Sequence, residues 1–180
     1  PTLVLARTHA ELNRAEKWLR IIGVNYSKVE KNSVKLAVNP KSLRAITLYE
    51  QVRKGDKESG KAKRLLELYK DFFLTLDCPD SPWFVVYANQ EEAGFIRRLL
   101  RSKENFEKEP NVTLSTIHAA KGAESSHVVL ALDFSYKTYR TWVSFMNSEL
   151  RAYYVGVTRA KNRLTLKLKE NTYGYPSTWN

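Results

Sequence analysis

Cysteine is almost missing from this chain: Cys78 stands alone among 180 residues. An internal disulfide framework is therefore excluded, and with only three histidines there are too few soft ligands for a structural zinc site. An intracellular location fits this composition best. Long apolar runs are missing too. Nothing reaches the roughly 18 consecutive apolar residues of a membrane span, and the opening Pro1-Thr2-Leu3-Val4-Leu5 lacks the basic flank and length of a signal peptide. The chain opens without Met and runs directly into apolar residues, as a piece of a longer protein would. Acid is scarce: 19 Asp and Glu face 30 Lys and Arg, leaving a net charge of +11. That balance points to a polyanionic partner such as nucleic acid, nucleotide or an anionic membrane surface, the alternative being a merely solvated basic surface.

At 43% hydrophobic residues the chain can build one substantial core. Leu3-Val4-Leu5-Ala6 reads as a strand buried on both faces that delivers Arg7-Thr8 at its C-terminal end. Leu12, Ala15, Leu19 and Ile22 then recur at helical spacing with Trp18 beside them, and Gly23 marks a stop. Val34 to Val38 alternates as a strand would. Pro40 opens a helix carrying Leu43, Ile46 and Tyr49, and a second stripe, Leu65, Tyr69, Phe72 and Leu76, predicts another helix ended by Pro79 and Pro82. Trp83 to Tyr87 fits strand or helix, and Glu91 to Arg101 is helical. Val112 to Thr116, Val128 to Leu132 and Leu164 to Leu168 are further apolar runs. Before the last of them, Asn147 precedes a helix with a predicted buried stripe of Leu150, Tyr153, Tyr154 and Val157. Strands alternating with helices predict an α/β domain with a mainly parallel sheet, whose ligands bind beyond the C-terminal ends of the strands. Arg7-Thr8, Thr116 to Glu124 and Asp133 fall in that zone.

Two motifs imitate nucleotide sites. Gly55-Asp56-Lys57-Glu58-Ser59-Gly60-Lys61-Ala62 has the glycine and lysine spacing of a phosphate-binding loop. Ala62 stands where a magnesium-binding hydroxyl is needed, and the segment joins two helical patterns, so it reads as a linker. Val128 to Asp133 imitates the strand and acid that hold magnesium in nucleotide hydrolases, but no Glu follows to orient water, and a strand end is the better reading.

The segment Thr116-Ile117-His118-Ala119-Ala120-Lys121-Gly122-Ala123-Glu124 lies between two apolar runs. Thr116, His118 and Lys121 are able to donate to phosphate, Gly122 permits close backbone approach, and Glu124 can accept from a sugar hydroxyl. A solvated loop would use the same residues. In Glu149-Leu150-Arg151-Ala152-Tyr153-Tyr154-Val155-Gly156-Val157-Thr158-Arg159-Ala160-Lys161, Arg159 can project over a phosphate from a helix end, or simply complement the helix dipole there.

Taken together, these two segments resemble the last motifs of the UvrD/Rep family of superfamily 1 DNA helicases, T-[IL]-H-x-A-K-G-x-E and E-x-R-x-x-Y-V-x-x-T-R-A. Val4-Leu5-Ala6-Arg7-Thr8 is similar to that family's V-L-x-R-[ST] motif. The resemblance implies that residues 1–180 form the second of two RecA-like motor domains, of three-layer α/β architecture with a compact helical insertion over roughly residues 40–108. It implies partners in ATP, single-stranded DNA and a first RecA-like domain outside this chain, and no membrane. Magnesium and the phosphate-binding loop would belong to that first domain, so the present one would not hydrolyse ATP by itself. By position, Arg159 and Arg7 match arginines that reach the γ-phosphate, Gly122 and Glu124 match contacts near the nucleotide's ribose, and Thr116 and His118 match a loop that touches the DNA strand. Lys121 is a candidate phosphate contact beside them.

The sequence departs from the family in three places. Ala6 replaces a tyrosine that stacks on adenine, small residues Ala123 and Ser125 flank Glu124, and the helical segment of about seventy residues before Val112 leaves no room for the large accessory insertion. Two other functions fit the same sequence: a nucleic-acid-binding or regulatory module that kept the fold without the motor, and the motor part of a helicase-nuclease. No carboxylate cluster follows Leu168, and Tyr173-Gly174-Tyr175-Pro176 reads as a tail.

Overall fold

Leu3 and Leu5 in the first strand face one side of a sheet, Val4 and Ala6 the other, and both sides are covered. The computed structural model describes residues 1–31, 33–55, 59–76, 80–102, 108–170 and 172–175. Its strands are β1 (Thr2–Ala6), β2 (Tyr26–Glu30), β3 (Ser33–Leu36), β4 (Val112–Thr116), β5 (Ser125–Ala131) and β6 (Ala160–Lys167). They form one sheet in the order β3-β2-β4-β1-β5-β6. Every neighbouring pair is parallel except β2 with β3, which is a short antiparallel edge. Such a sheet needs helices on both faces because parallel strands must be joined by crossovers.

The helices are α1 (His9–Ile22), α2 (Pro40–Lys54), α3 (Ser59–Leu66), α4 (Trp83–Val86), α5 (Gln90–Arg101), α6 (Tyr136–Ser144) and α7 (Met146–Val157). The chain divides into two compact units. One comprises residues 1–20, 25–37 and 105–180 and holds the sheet; the other comprises residues 21–24 and 38–104 and is helical.

In the sheet unit, Leu3, Leu5, Val128 and Leu130 build the core with Ile117, Phe134 and Tyr175, and Ala152, Tyr153, Val155 and Val157 of α7 pack on it. α1 covers the opposite face, where Leu12 is fully buried. Asn13 and Glu16 of α1 both accept from Lys28 Nζ, at 2.9 and 2.7 Å, and Glu16 also accepts from Tyr26 Oη at 2.7 Å. This buried lysine explains why β2 is hard to see in the sequence: its buried residues are Tyr26, Ser27 and Lys28 rather than a row of aliphatics. The α1 stripe is narrower than its spacing predicts, since Trp18 is 60% and Ile22 62% exposed.

In the helical unit, α2 starts as its sequence demands. Asn39 accepts from Lys41 N, Pro40 opens the first turn, and Gly55 closes the helix with a left-handed φ of 63°. Gly55 is thus a helix cap, and Lys61 and Ala62 of the look-alike phosphate loop lie in α3; Asp56 to Glu58 fall outside the described residues, as do Cys78 and Pro79. The helix predicted over Leu65 to Leu76 is instead the end of α3 followed by a 3₁₀ turn at Glu67–Phe72. The reason is Phe73, which leaves the helix to stack on Tyr49 at 5.0 Å and to meet Tyr87 edge-on at 5.8 Å. Tyr87 pairs with Phe73 as an isolated bridge after α4, so Trp83 to Tyr87 is a helical turn ending in a bridge.

The predicted tail is not one. Tyr175 is completely buried, its ring 4.8 Å from Tyr153 and 5.1 Å from Phe134, and Gly174 bridges Asp133. A Cβ on Gly174 would come within 2.6 Å of Leu132 O, so only glycine permits this approach. Asp133 itself, fully buried, accepts from Glu170 N at 2.9 Å, a structural task that suits a strand end.

Candidate functional site

Ala6 pairs with Thr116 in register, so Arg7 and the loop after Thr116 leave the sheet at one edge, the C-terminal ends of β1 and β4. Ser125 pairs with Ala160, so the residues just before β5 and β6 meet at the opposite edge. The segment 117–124 crosses between the two edges. It is wound as successive turns: Ala120 N donates to Thr116 O, Ala123 N to Ala120 O, and Thr116 Oγ1 accepts from Ala119 N at 3.2 Å. Ile117 and Ala120 anchor it in the core, which leaves His118, Lys121, Gly122 and Glu124 exposed. Two clusters result.

In the first, His118 and Lys121 line a cleft of about 250 Å³ with Ser148 and Arg151 from α7, floored by Ile117, Ala152 and Val155. Among the described residues neither Lys121 nor Arg151 pairs with a carboxylate. The cleft is therefore cationic above and apolar below, and open to a phosphate oxygen or a sugar. Arg151 and Ser148 were not singled out as site residues in the sequence. Their signal was there: Ser148, Arg151, Ala152 and Val155 recur at i, i+3, i+4 and i+7, one face of a helix.

In the second cluster, Arg159 lies beside the end of the crossing loop. Its backbone O accepts from Ser125 N at 3.0 Å; its Nη1 donates to Ala123 O at 3.4 Å, its Nε to Val155 O at 3.0 Å and its Nη2 to Thr158 Oγ1 at 3.1 Å. Those acceptors are neutral oxygens, and among the described residues Arg159 forms no ion pair. Glu124 makes an exposed ion pair with Lys161 at 3.1 Å. Gly122, at a left-handed φ of 85°, has nothing within 4 Å of where a Cβ would stand, so the loop turns there against open solvent.

Arg7 belongs to neither cluster. Its Nε and Nη2 donate to the two carboxylate oxygens of Glu149, each at 2.7 Å, and Tyr175 Oη approaches the same carboxylate at 3.4 Å. Glu149 is nearly inaccessible. Hydrogen bonding from Arg7 holds its pKa below the ordinary carboxylate value against the opposing cost of burial, and His118 adds a weaker pull in the same direction. Burial pushes the Tyr175 phenol up. Arg7 and Arg159 are not brought together within this domain. They flank opposite edges of a sheet whose strands rise about 3.3 Å per residue, and Arg7 is engaged by a buried anion.

A model of the UvrD-like helicase C-terminal domain matches residues 5–171. The chain belongs to that family. Among curated proteins none matches it. The α/β sheet with helices on both faces is the RecA-like three-layer fold of this helicase domain, and the matched span takes in the β1 end, the crossing loop and all of α7. Among the described residues of the helicase domain, no helix is long and apolar enough to cross a membrane.

Proposed function

We propose that this helicase domain is the second motor domain of an ATP-dependent DNA helicase or translocase, and that it meets two phosphate ligands at its two clusters. The observation that carries the reading is the crossing loop: one continuous segment has His118 and Lys121 in the cationic cleft and ends at Arg159 through Ala123. Thr116, His118, Lys121 and the added Arg151 hold the backbone of single-stranded DNA. Gly122 and Glu124 lie against the ribose side of ATP, and Arg159 stabilises charge on the transferred γ-phosphoryl, for which its rigid, permanently ionised fork is suited. Arg7 acts one step back, holding α7 and hence Arg159 through Glu149.

Among the described residues no group of three His, Cys, Asp or Glu side chains is placed to hold a metal ion. Magnesium, which accompanies ATP in this chemistry, is assigned to the partner domain, and no step here passes through it. The test is ATP hydrolysis by the complete protein with and without single-stranded DNA. Stimulation by DNA supports the motor; DNA binding without any hydrolysis favours a non-catalytic module.

A further inference from the structure

Between Asp133 and Glu149 the chain contains no acidic residue, yet it carries Phe134, Tyr136, Tyr139, Trp142 and Phe145 together with Lys137 and Arg140. α6 sorts these side chains. Thr138 is buried and Trp142 turns inward, stacked on Phe134 at 6.0 Å. Tyr136 and Tyr139 turn outward, 58% and 38% exposed, with ring centroids 6.5 Å apart and planes inclined by only 27°. Tyr173, from the packed C-terminal segment, completes the group at 4.7 Å from Tyr139 and 5.3 Å from Tyr136. Lys137 and Arg140 are exposed, and among the described residues neither forms an ion pair.

Such rings gain little from folding while they face water, and cations without counter-charges beside them call for an anionic ligand with flat apolar faces. Single-stranded nucleic acid has both: every base offers a π-face whatever the sequence, and every phosphate a charge. The platform is also stiff. Ser135 caps α6 by accepting from Thr138 N at 3.2 Å, so the two outward rings are held on a helix rather than a loop. α6 follows the C-terminal end of β5, the same sheet edge from which Thr116 begins the crossing loop.

We propose that Tyr136, Tyr139 and Tyr173 form a base-stacking platform for single-stranded DNA, with Lys137 and Arg140 on the adjoining phosphates. The proposal rests on the reading of this domain as a DNA motor and adds a site to it. The experiment compares binding of the complete protein to oligothymidylate and to an abasic oligonucleotide of the same length, over a range of salt. The unaltered protein should prefer the strand with bases. Joint Tyr136→Ala and Tyr139→Ala substitution should shrink that preference roughly 5- to 100-fold while leaving the salt slope unchanged, and the Tyr136→Phe, Tyr139→Phe pair should retain it. Lys137→Ser with Arg140→Ser should do the converse, lowering the slope by about 1.4 and keeping the preference. An unchanged preference in the alanine pair, with salt-dependent binding intact, overturns the platform alone. Failure of the unaltered protein to bind either strand overturns both the platform and the motor reading. Loss of association with the first motor domain, with DNA binding untouched, would make this face a protein contact and also overturn the proposal.

Discussion

The Arg7 guanidinium grips both oxygens of Glu149 at 2.7 Å, joining the end of β1 to the first turns of α7 across 142 positions of sequence. Removing the anion alone leaves a partly buried cation unpaired. Glu149→Gln should cost around 3 kcal/mol, the low end for a broken buried pair because Arg7 keeps 22% of its side chain in water. The pH dependence follows from the lowered pKa of Glu149. Its stabilisation is complete above the ordinary carboxylate pKa and is lost as pH falls through the lower folded value. Thermal melts taken from neutrality down to about pH 3 should therefore show a decline in the parent that is shallower in Glu149→Gln. Parallel declines would remove the pair from the account.

Among the described residues Arg159 donates to neutral oxygens and forms no ion pair. Replacing it breaks no ion pair, so Arg159→Ala should change Tm little. In the complete enzyme, DNA-stimulated turnover should fall by about 10³ to 10⁵ with nucleotide binding retained. Arg159→Lys should recover little, because an ammonium lacks the planar fork. Turnover within a few-fold of the parent would sink the assignment.

The cationic cleft makes a different demand. Lys121→Ala and Arg151→Ala should each weaken DNA binding uniformly across sequences and reduce the salt slope by about 0.7, the counterions released per phosphate on a single strand. Titrations at several salt concentrations measure this directly. A variant that loses affinity at an unchanged slope would indicate that the residue shapes the cleft without neutralising a phosphate.

Much of the fold was legible because burial on both faces writes itself as unbroken apolar runs. Leu3 to Ala6 and Val128 to Leu132 each mark a strand in this way, and Gly23 and Pro40 bound helices as their backbone preferences require. Part of what stayed hidden is polar or small residues doing inward work. β2 buries Lys28 against Glu16, and α7 buries Glu149 and Gly156 while Tyr154 is 68% exposed. Partners so far apart in sequence leave no periodic trace. The same limit applies to the site. The Thr116 to Glu124 and Glu149 to Lys161 segments are visible as motifs, but that Arg7 turns to Glu149 instead of toward Arg159 depends on which sheet edge each residue occupies. Strand order, not spacing, decides that.

Gly156 shows how the core sets the position of Arg159. A Cβ there would stand 3.1 and 3.3 Å from the two methyl carbons of Leu130 and 3.7 Å from Ile117 Cδ1, so α7 lies on β5 as closely as a backbone without a side chain allows. Alanine asks Leu130 to yield by a few tenths of an ångström; valine asks for more than a packed core gives, at about 1–3 kcal/mol. Because Arg159 follows three residues later, Gly156→Val should lower kcat of the complete enzyme more than it raises KM. Adding Leu130→Ala opens the space the valine needs. The double variant should then be more stable than the sum of the two single losses predicts, by at least about 0.5 kcal/mol in denaturant melts. Strict additivity would mean that the contact between helix and strand does not limit the residue at 156.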